Sequence, residues 1–401
     1  MLAYQPKGLD DDESGQPAIW KLKRALYGLR RSPKLFYTQL REYLLLQGYT
    51  NSPLDNCLFH KITATGKIFF CTHVDDFAIA ASSPERIEEL CNKLKEKYII
   101  TESDSLESFL GVHMERHDGC LYLSQPGLIA KLVTAAGIEE DTHVYHNPMR
   151  EDFSDEYQDD SPACSQDIFR SLLGMLIYML RSRPDIAFSV NRLAIRSSGA
   201  TERDLVAIKR VVSYLRSTSH LELVYRTQNP DQVQAIAELH AWCDAAYACH
   251  RDSKSHSGIC FSYGTAPTGA FFSQSRKQTT VATSSTEAEV NAAFEASKYV
   301  TYFRDLLSEL GYPQVRPTKI WVDNMSLITL ATKFSGSTKN VKHFMMRVNF
   351  LIEKVAAGVI KLDYINTLEN HSDMLTKPLG CAQTKKHTAS LLGEQRNVSK
   401  K

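Results

Sequence analysis

Acidic residues in the last third of the chain have the types and surroundings that a metal site requires. Asp244 stands among apolar neighbours in the run LHAWCDAAYA, and Asp323 ends the apolar run IWVD. Glu287 and Glu289 follow the start of a long helical pattern, and Asp373 lies in HSDMLTKP. A carboxylate inside a strand is unfavourable unless a positive group compensates its charge. Several carboxylates that converge form an oxygen-rich site that suits hard cations, chiefly Mg²⁺.

Each of these acids also has an ordinary structural explanation. An acid at a strand end can be a surface charge, and an acid at a helix start can be a cap. Glu287 and Asp373 are especially open to the capping explanation. The metal hypothesis therefore depends on the whole set, whose members are far apart in sequence.

A second acidic feature lies near the start of the chain. The run KIFFCTHVDDFAIAAS places Asp75 and Asp76 between two β-prone segments, which predicts a hairpin with an acidic turn. Such a pair is by itself usually only a turn.

Two stretches are locally basic although the formal net charge is only +1. The first basic stretch, residues 20–41, has bases, interleaved aromatic residues and no acid, and the second, residues 181–216, has bases in excess. All-basic faces favour an anionic partner, although an exposed helix–turn–helix with a chance charge bias is the alternative. The candidate nucleic-acid-binding residues are Lys21, Lys23, Arg24, Arg30, Arg31, Lys34, Arg192, Arg196, Lys209 and Arg210.

Periodicity and turn residues predict the elements that must position these groups. The first basic stretch reads as helical and broken at Ser32-Pro33, and Asp118-Gly119 reads as a hairpin turn. Residues 151–162 are acidic and predict a flexible connector. Helices are predicted at about 84–98, 165–183, 184–199 and 201–218. From about residue 235 the predicted order βββαβααβα indicates a mixed sheet covered by helices, and the tail from about Cys381 is expected to be frayed.

Composition excludes several classes of protein. The 401 residues are 43% hydrophobic and 23% charged, so a folded chain of two or three domains is expected. The sequence has no apolar run of membrane-spanning length and no signal-peptide core. The nine cysteines form no C-x-x-C pair, which favours reduced thiols and a cytosolic or nuclear location.

Long motifs decide between the alternatives. The segments LHAWCDAAYACHRDSKSHSGICF, SSTEAEVNAAFEASKYV, IWVDNMSLITLA and HSDMLTKPL resemble the RNase H domain of copia-type LTR retrotransposons. Upstream, KRALYGLRRSPKLFY, HVDD, SFLGVHM and RSLLGMLIYMLRSRPDIAFSVNRLA resemble the reverse transcriptase of the same polyproteins, in the same order. The resemblance covers roughly residues 4–380.

The resemblance implies a set of site residues. In the RNase H part, Asp244, Glu289, Asp323 and Asp373 match four acids that hold two Mg²⁺ ions, and Glu287 then reads as a capping or supporting group. In the reverse transcriptase part, Asp75 and Asp76 match the acidic pair of the family's polymerase turn and its metal site, with His73 where the family has Tyr. The implied partners are an RNA–DNA hybrid, template-primer nucleic acid and other Pol or Gag products.

The resemblance also has departures. Ala246 and Met345 stand where the family commonly has Asp. Polymerases of this class need a further Asp on a palm strand before the segment matched by Gln5-Pro6-Lys7-Gly8, so we expect an incomplete palm and no DNA polymerisation by this polypeptide alone.

The resulting prediction is an α+β chain with an incomplete reverse transcriptase palm, a helical thumb and connection, and an RNase H-like mixed-sheet domain. The expected domains are a palm at 1–150, linker and connection at 151–230, an RNase H-like domain at 231–380 and a disordered basic tail at 381–401. The expected function is Mg²⁺-dependent hydrolysis of RNA in hybrids. The alternatives are an inactive nucleic-acid-binding remnant and a remnant without a stable fold.

Overall fold

Helices and antiparallel or mixed sheets make up the computed structural model, which confirms the α+β prediction. Contacts divide the chain into two compact units, Met1–Ser103 and Asp104–Lys401. The structure describes residues 2–4, 19–21, 23, 25–26, 28–103, 106–139, 143–153, 161–226, 237–264, 268–333 and 344–396.

The first unit contains an antiparallel sheet with the strand order β3-β4-β5-β6. Alternate residues of β5 are buried, as expected for a strand with one face on the core, and helices α1 and α2 cover that face with leucines such as Leu44 and Leu90. A separate pair, β1-β2, precedes the sheet. The elements are β1 (Leu2–Tyr4), β2 (Ile19–Lys21), α1 (Ser32–Leu46), β3 (Thr50–Asn51), β4 (Leu58–Thr63), β5 (Gly66–His73), β6 (Asp76–Ala81) and α2 (Pro84–Lys95).

The prediction for the first basic stretch was wrong in one respect. Ser32-Pro33 begins helix α1 rather than breaking a longer helix, and residues 19–21 form strand β2. Proline suits the first turn of a helix because its missing N–H would be unpaired there in any case.

The second unit opens with an antiparallel sheet and a helical core. The sheet order is β10-β9-β8-β7, and the predicted turn at Asp118-Gly119 joins β8 to β9 with both residues at positive φ. The predicted helices of the connection are confirmed. The elements are β7 (Ser108–Phe109), β8 (Val112–His117), β9 (Cys120–Ser124), α3 (Pro126–Ala135), α4 (Gln166–Met179), a 3₁₀ helix (Pro184–Ile186), α5 (Ala187–Ile195), α6 (Glu202–Ser217) and β10 (Leu223–Arg226).

The rest of the unit is a mixed sheet with helices packed against it. Its strand order is β13-β12-β11-β14-β15, in which β11 pairs with β12 antiparallel and with β14 parallel. The predicted order of strands and helices is confirmed. The elements are β11 (Glu238–Ala246), β12 (His256–Gly264), β13 (Phe272–Lys277), α7 (Ser285–Glu309), β14 (Thr318–Val322), α8 (Met325–Lys333), α9 (Met345–Ala356), β15 (Ile360–Tyr364), 3₁₀ helices at Thr367–Glu369 and Asp373–Leu375, and α10 (Cys381–Leu392).

The prediction of a disordered tail was wrong for residues 381–392, which form helix α10. The polar composition concealed two buried leucines, because Leu391 and Leu392 are at most 1% exposed. Leu392 packs with Val112 and Leu223 of the β7–β10 sheet. Residues 397–401 and most of the acidic connector, residues 154–160, lie outside the described residues.

Side-chain networks join the connection helices to the last part of the chain. The buried Arg183 forms a two-point ion pair with Asp185, at 2.9 and 2.7 Å, and Tyr214 donates to Asp185 at 2.8 Å. The Tyr214 hydroxyl also lies 3.3 Å from that of Thr388 on α10. These contacts lie within the second compact unit, and the domain boundaries expected at residues 150 and 230 stay predictions.

Two further features bear on the sequence predictions. Among the described residues, no helix is both long and apolar enough to cross a membrane. The nine cysteines are free thiols. The cytosolic or nuclear location stays a prediction.

Candidate metal centre and basic surfaces

Three of the predicted acids meet at one edge of the mixed sheet. Trp242 of β11 pairs in register with Trp321 of β14, so the residues two positions further on, Asp244 and Asp323, lie at the same level of neighbouring parallel strands. Glu289 approaches from α7, which packs across β11. One carboxylate oxygen of each acid lies within 4.8 Å of the others.

Burial makes the charged forms of these carboxylates unfavourable. Asp244 and Glu289 are 4% and 6% exposed. Desolvation, followed by the charge of Asp373, raises the pKa of Asp244 to about 6. Desolvation and then the charges of Asp244 and Asp323 raise the pKa of Glu289 well above its usual value. Like charges that are buried together favour a bound cation, because it neutralises them.

Hydrogen bonds orient the three carboxylates. Asp244 Oδ2 accepts from the Thr376 hydroxyl at 2.5 Å, and Asp323 Oδ2 accepts from the Thr367 hydroxyl at 2.7 Å. Glu289 Oε1 accepts from the backbone N–H of Ala245 at 3.3 Å, whereas its Oε2 is buried without a hydrogen-bond partner in the described part of the chain.

Asp373 lies beside this group rather than within it. It begins the 3₁₀ helix Asp373–Leu375, is buried, and its Oδ1 lies 2.5 Å from Nζ of Lys377. The structure therefore brings three of the four predicted acids within sharing distance of one cation and puts the fourth close enough for its charge to act on Asp244.

A glycine lets the 3₁₀ helix approach the sheet. Gly258 faces Asp244 across the β11–β12 pair, and a Cβ on Gly258 would lie 2.7 Å from the carbonyl oxygen of Ser372. Asn370, just before this segment, donates to the carbonyl oxygen of Cys243 at 3.0 Å. The close approach carries Asp373 and Thr376 to the acid on β11.

Glu287 has the capping role that was predicted as its alternative. Its backbone N–H donates to Ser284 Oγ at 3.1 Å, and its Oε2 accepts from the backbone and the hydroxyl of Thr283 at 2.7 and 2.8 Å. These bonds satisfy donors at the start of α7. They also fix the register that turns Glu289, two residues later, toward Asp244.

Sequence reasoning missed Thr376 and Lys377. The signal was present, since the two residues follow Asp373 at i+3 and i+4, the spacings at which side chains meet on a helical turn. Thr367 could not have been found this way, because it meets Asp323 from a separate segment.

The predicted hairpin at Asp75-Asp76 is present between β5 and β6. His73 pairs with Asp76, and Val74 and Asp75 form the turn. Val74 has a φ of 58°, which is unfavourable for a β-branched residue. Asp75 and Asp76 are exposed, and in the described ranges they are not part of a group of three possible metal ligands.

The predicted basic residues divide into exposed and internal ones. Most of the first set is exposed, and Arg24 lies outside the described residues; the exposed members are Lys21, Lys23, Arg30, Arg31 and Lys34. Lys209 is exposed as well. These residues remain available for contact with an anionic partner.

In the second set the structure contradicts the prediction for Arg192 and gives Arg196 and Arg210 partners within the chain. Arg192 is 3% exposed, and its Nη1 lies 2.5 Å from Nδ1 of His250, so it is a core residue rather than a surface contact. Arg196 pairs with Asp204 at 3.3 Å. The Arg210 guanidinium stacks on Tyr145, with 4.1 Å between its central carbon and the ring centroid. Helix packing, which charge counting ignores, decides which bases face outward.

The sheet order and the three acids define an RNase H-like domain, and a reverse-transcriptase-type acidic hairpin precedes it. The sequence model of the family described as "Reverse transcriptase (RNA-dependent DNA polymerase)" matches residues 1–150. This match and the relatives described next support the predicted resemblance to copia-type Pol polyproteins.

Curated relatives match nearly the whole chain. The chain is 30% identical over 376 residues to the retrovirus-related Pol polyprotein from transposon RE1 of Arabidopsis thaliana. This match covers 94% of this chain and 25% of that protein. It is 27% identical over 383 residues to the one from transposon TNT 1-94 of Nicotiana tabacum, with 93% of this chain and 28% of that protein covered. The chain thus spans about a quarter of the length of these relatives.

Two solved structures are also similar. The foamy viral protease-reverse transcriptase in complex with RNA/DNA hybrid is 15% identical with a TM-score of 0.47, and the match covers 88% of this chain and 40% of that one. The LC11-RNase H1 in complex with RNA/DNA hybrid is 13% identical with a TM-score of 0.27, and the match covers 35% of this chain and 94% of that one.

Proposed function

We propose that this chain hydrolyses the RNA strand of RNA–DNA hybrids at the site formed by Asp244, Glu289, Asp323 and Asp373, with two divalent cations, Mg²⁺ in the cell. The observation that carries the proposal is the convergence of three carboxylate oxygens within 4.8 Å at the end of β11, with Asp373 beside them. Hybrid as the substrate follows from the resemblance of the motifs to copia-type RNase H.

The residues present fit a hard cation. All of the proposed ligands are carboxylates, which suit Mg²⁺ and are a poor set for soft metals. Glu289 Oε2 is a buried acceptor without a hydrogen-bond donor among the described residues, which is the state expected of a ligand atom. When bound, two such cations lower the pKa of an attacking water and stabilise the leaving 3′ oxygen.

The chain's own residues position the reaction. Thr376 fixes Oδ2 of Asp244 and Thr367 fixes Oδ2 of Asp323, so both carboxylates are held in place before any ligand binds. The N–H of Ala245 holds Oε1 of Glu289. Lys209, an exposed base of the same unit, would contact phosphates of the bound nucleic acid without reading its sequence.

The reverse transcriptase part suggests a second activity, DNA polymerisation, for the longer polyproteins that contain such a segment. Residues 1–150 match the reverse transcriptase family, and Asp75 and Asp76 lie exposed at a hairpin tip, where an incoming nucleotide and its cations could reach them. Incorporation of deoxynucleotides that Asp75→Asn abolishes would assign polymerisation to this chain.

Cleavage of a labelled RNA–DNA hybrid by the full chain in Mg²⁺ tests the proposal. We expect cleavage that is lost in Asp244→Asn and in Asp323→Asn. Asp305→Asn is the matched control, because Asp305 is an exposed acid on the helix that carries Glu289. Salt-sensitive hybrid binding without cleavage by the wild-type chain would instead indicate an inactive nucleic-acid-binding remnant.

A further inference from the structure

Lys377 places a positive charge against one of the four proposed ligands. Its Nζ lies 2.5 Å from Oδ1 of Asp373, and the two side chains are 44% and 4% exposed. The acid is therefore almost fully buried, while the lysine reaches it from the solvent side. Among the described residues Oδ1 of Asp373 has no partner with hydrogen-bond geometry, so the contact with Lys377 is an ion pair held by charge.

The other three acids have neutral hydrogen-bond partners. Asp244 and Asp323 accept from threonine hydroxyls, and Glu289 accepts from a backbone N–H. In the described part of the chain, Asp373 is the member of the set that has an ammonium group as its partner. The site is thus asymmetric. The part formed by Asp244, Glu289 and Asp323 has no ammonium group in contact with it among the described residues, whereas Asp373 is in contact with that of Lys377.

A cation on Oδ1 of Asp373 would share that oxygen with this ammonium group. Mg²⁺ binds carboxylate oxygens at about 2.1 Å, so a cation on the same oxygen would lie only about 4 Å from Nζ. Positive charges repel strongly at that distance in a partly buried site. The charge of Lys377 also acts on Asp244 and Glu289, where it opposes the rise in their pKa.

We propose that Lys377 competes with the second cation for Asp373, so that a divalent cation binds Oδ1 of Asp373 only after the Lys377 ammonium group has left that oxygen. The inference rests on the proposed function, since it assumes the two-cation site. It makes the cation at Asp244, Glu289 and Asp323 the tighter one and the cation that includes Asp373 the weaker one. Release of Lys377 is then the step that completes the site.

Titration of the full chain with Mn²⁺, which is a calorimetric substitute for Mg²⁺, tests this inference without activity. We expect a tight and a weak binding event in the wild type, and loss of the weak event in Asp373→Asn. Lys377→Met should tighten the weak event by about tenfold, as expected when one charge-assisted contact no longer competes for the ligand oxygen. Lys377→Arg keeps the charge and should leave the weak event weak.

Lys386→Met is the matched control. Lys386 is also 44% exposed and also pairs with an acid, Glu369, but that acid is not a proposed ligand. Its loss should leave both binding events unchanged. Lys377→Gln, which keeps a neutral donor, serves if Lys377→Met does not fold, and it should tighten the weak event as well.

Thermal melts provide an independent reading. The free energy gained from a bound ligand grows with its affinity, so Mn²⁺ should raise the Tm of Lys377→Met more than that of the wild type. Equal affinities for the weak event in the wild type and Lys377→Met would overturn the inference and leave the proposed function intact. Failure of Asp244→Asn to remove the tight event would instead overturn the proposed metal site itself.

Discussion

The Thr376 hydroxyl lies 2.5 Å from Oδ2 of Asp244 and 2.9 Å from the carbonyl oxygen of Asp373. One small side chain thus ties the acid of the first strand of the mixed sheet to the 3₁₀ helix that carries the last acid. Asp244 and Asp373, which are 129 positions apart in sequence, are both in contact with Thr376, which the sequence analysis did not identify.

Thr376→Val should lower hybrid cleavage by about tenfold, the usual cost of losing a group that orients a metal ligand. Valine keeps the shape of the side chain and removes the hydrogen bond to Asp244. The measurement is the rate of hybrid cleavage at saturating Mg²⁺. Thr384→Val is the control, because the Thr384 hydroxyl is buried but bonds to the carbonyl oxygen of Leu379, away from the acids. Wild-type cleavage by Thr376→Val would contradict the prediction.

The stability of the metal-free protein should fall as the pH rises. Desolvation and the charge of Asp373 raise the pKa of Asp244 from 3.8 to about 6. A raised pKa favours the protonated form in the fold, so this contribution is complete below about pH 4 and is lost as the pH rises through about 6. The loss is on the order of 3 kcal/mol for a shift of this size.

Thermal melts in a chelator at pH 5 and pH 7.5 measure this dependence. We expect a higher Tm at pH 5 in the wild type and a smaller difference in Asp244→Asn, whose amide does not titrate. The same slope in both proteins would show that Asp244 does not govern it.

Gly258→Ala should damage both the site and the stability of the fold. The added Cβ would lie 2.7 Å from the carbonyl oxygen of Ser372 and 2.7 Å from the Cβ of Leu375, and neither atom is the end of a flexible side chain. Overpacking of this kind typically costs about 1–3 kcal/mol. Urea unfolding gives the free energy, and the cleavage assay gives the effect on the site.

Gly174→Ala is the control for the glycine substitution. Gly174 lies within helix α4, and its added Cβ would meet nothing within 4 Å. Alanine favours a helix by up to about 1 kcal/mol over glycine, so this variant should be as stable as the wild type or more so. An unchanged free energy of unfolding in Gly258→Ala would show that the 3₁₀ helix can move away without cost.

Two arginine–aspartate pairs in the second unit offer a direct comparison of burial. Arg183–Asp185 and Arg150–Asp152 have the same spacing and the same two hydrogen bonds, at 2.9 and 2.7 Å. The side chains of the first pair are at most 2% exposed and those of the second are 66–68% exposed. Geometry is therefore matched while solvent access is not.

Arg183→Met should cost about 3–5 kcal/mol, because it leaves Asp185 buried without its counter-ion. Arg150→Met should cost far less than Arg183→Met, since exposed pairs are screened by water. Chemical denaturation of both variants checks the difference. Similar losses in the two variants would mean that burial does not control the strength of these pairs.

The sequence alone determined the order of the elements and the identity of the candidate acids. Apolar periodicity predicted α7 and the strands of the mixed sheet, because a face that packs on a core repeats at the period of its element. Glu289 was preferred over Glu287 from the motif, and the capping bonds of Glu287 agree with that choice. The resemblance to copia-type Pol polyproteins followed from motifs that are long and collinear.

Only the tertiary structure decided which groups meet. Composition predicted a frayed tail, but Leu391 and Leu392 bury α10 against the rest of the unit. Charge counting placed Arg192 on a nucleic-acid surface, yet helix packing buries it beside His250. Lys377 and Thr376 reach the acids because β11, β14 and a 3₁₀ helix converge. A sequence pattern records which face of an element is apolar, whereas contacts between distant side chains depend on how the elements pack in three dimensions.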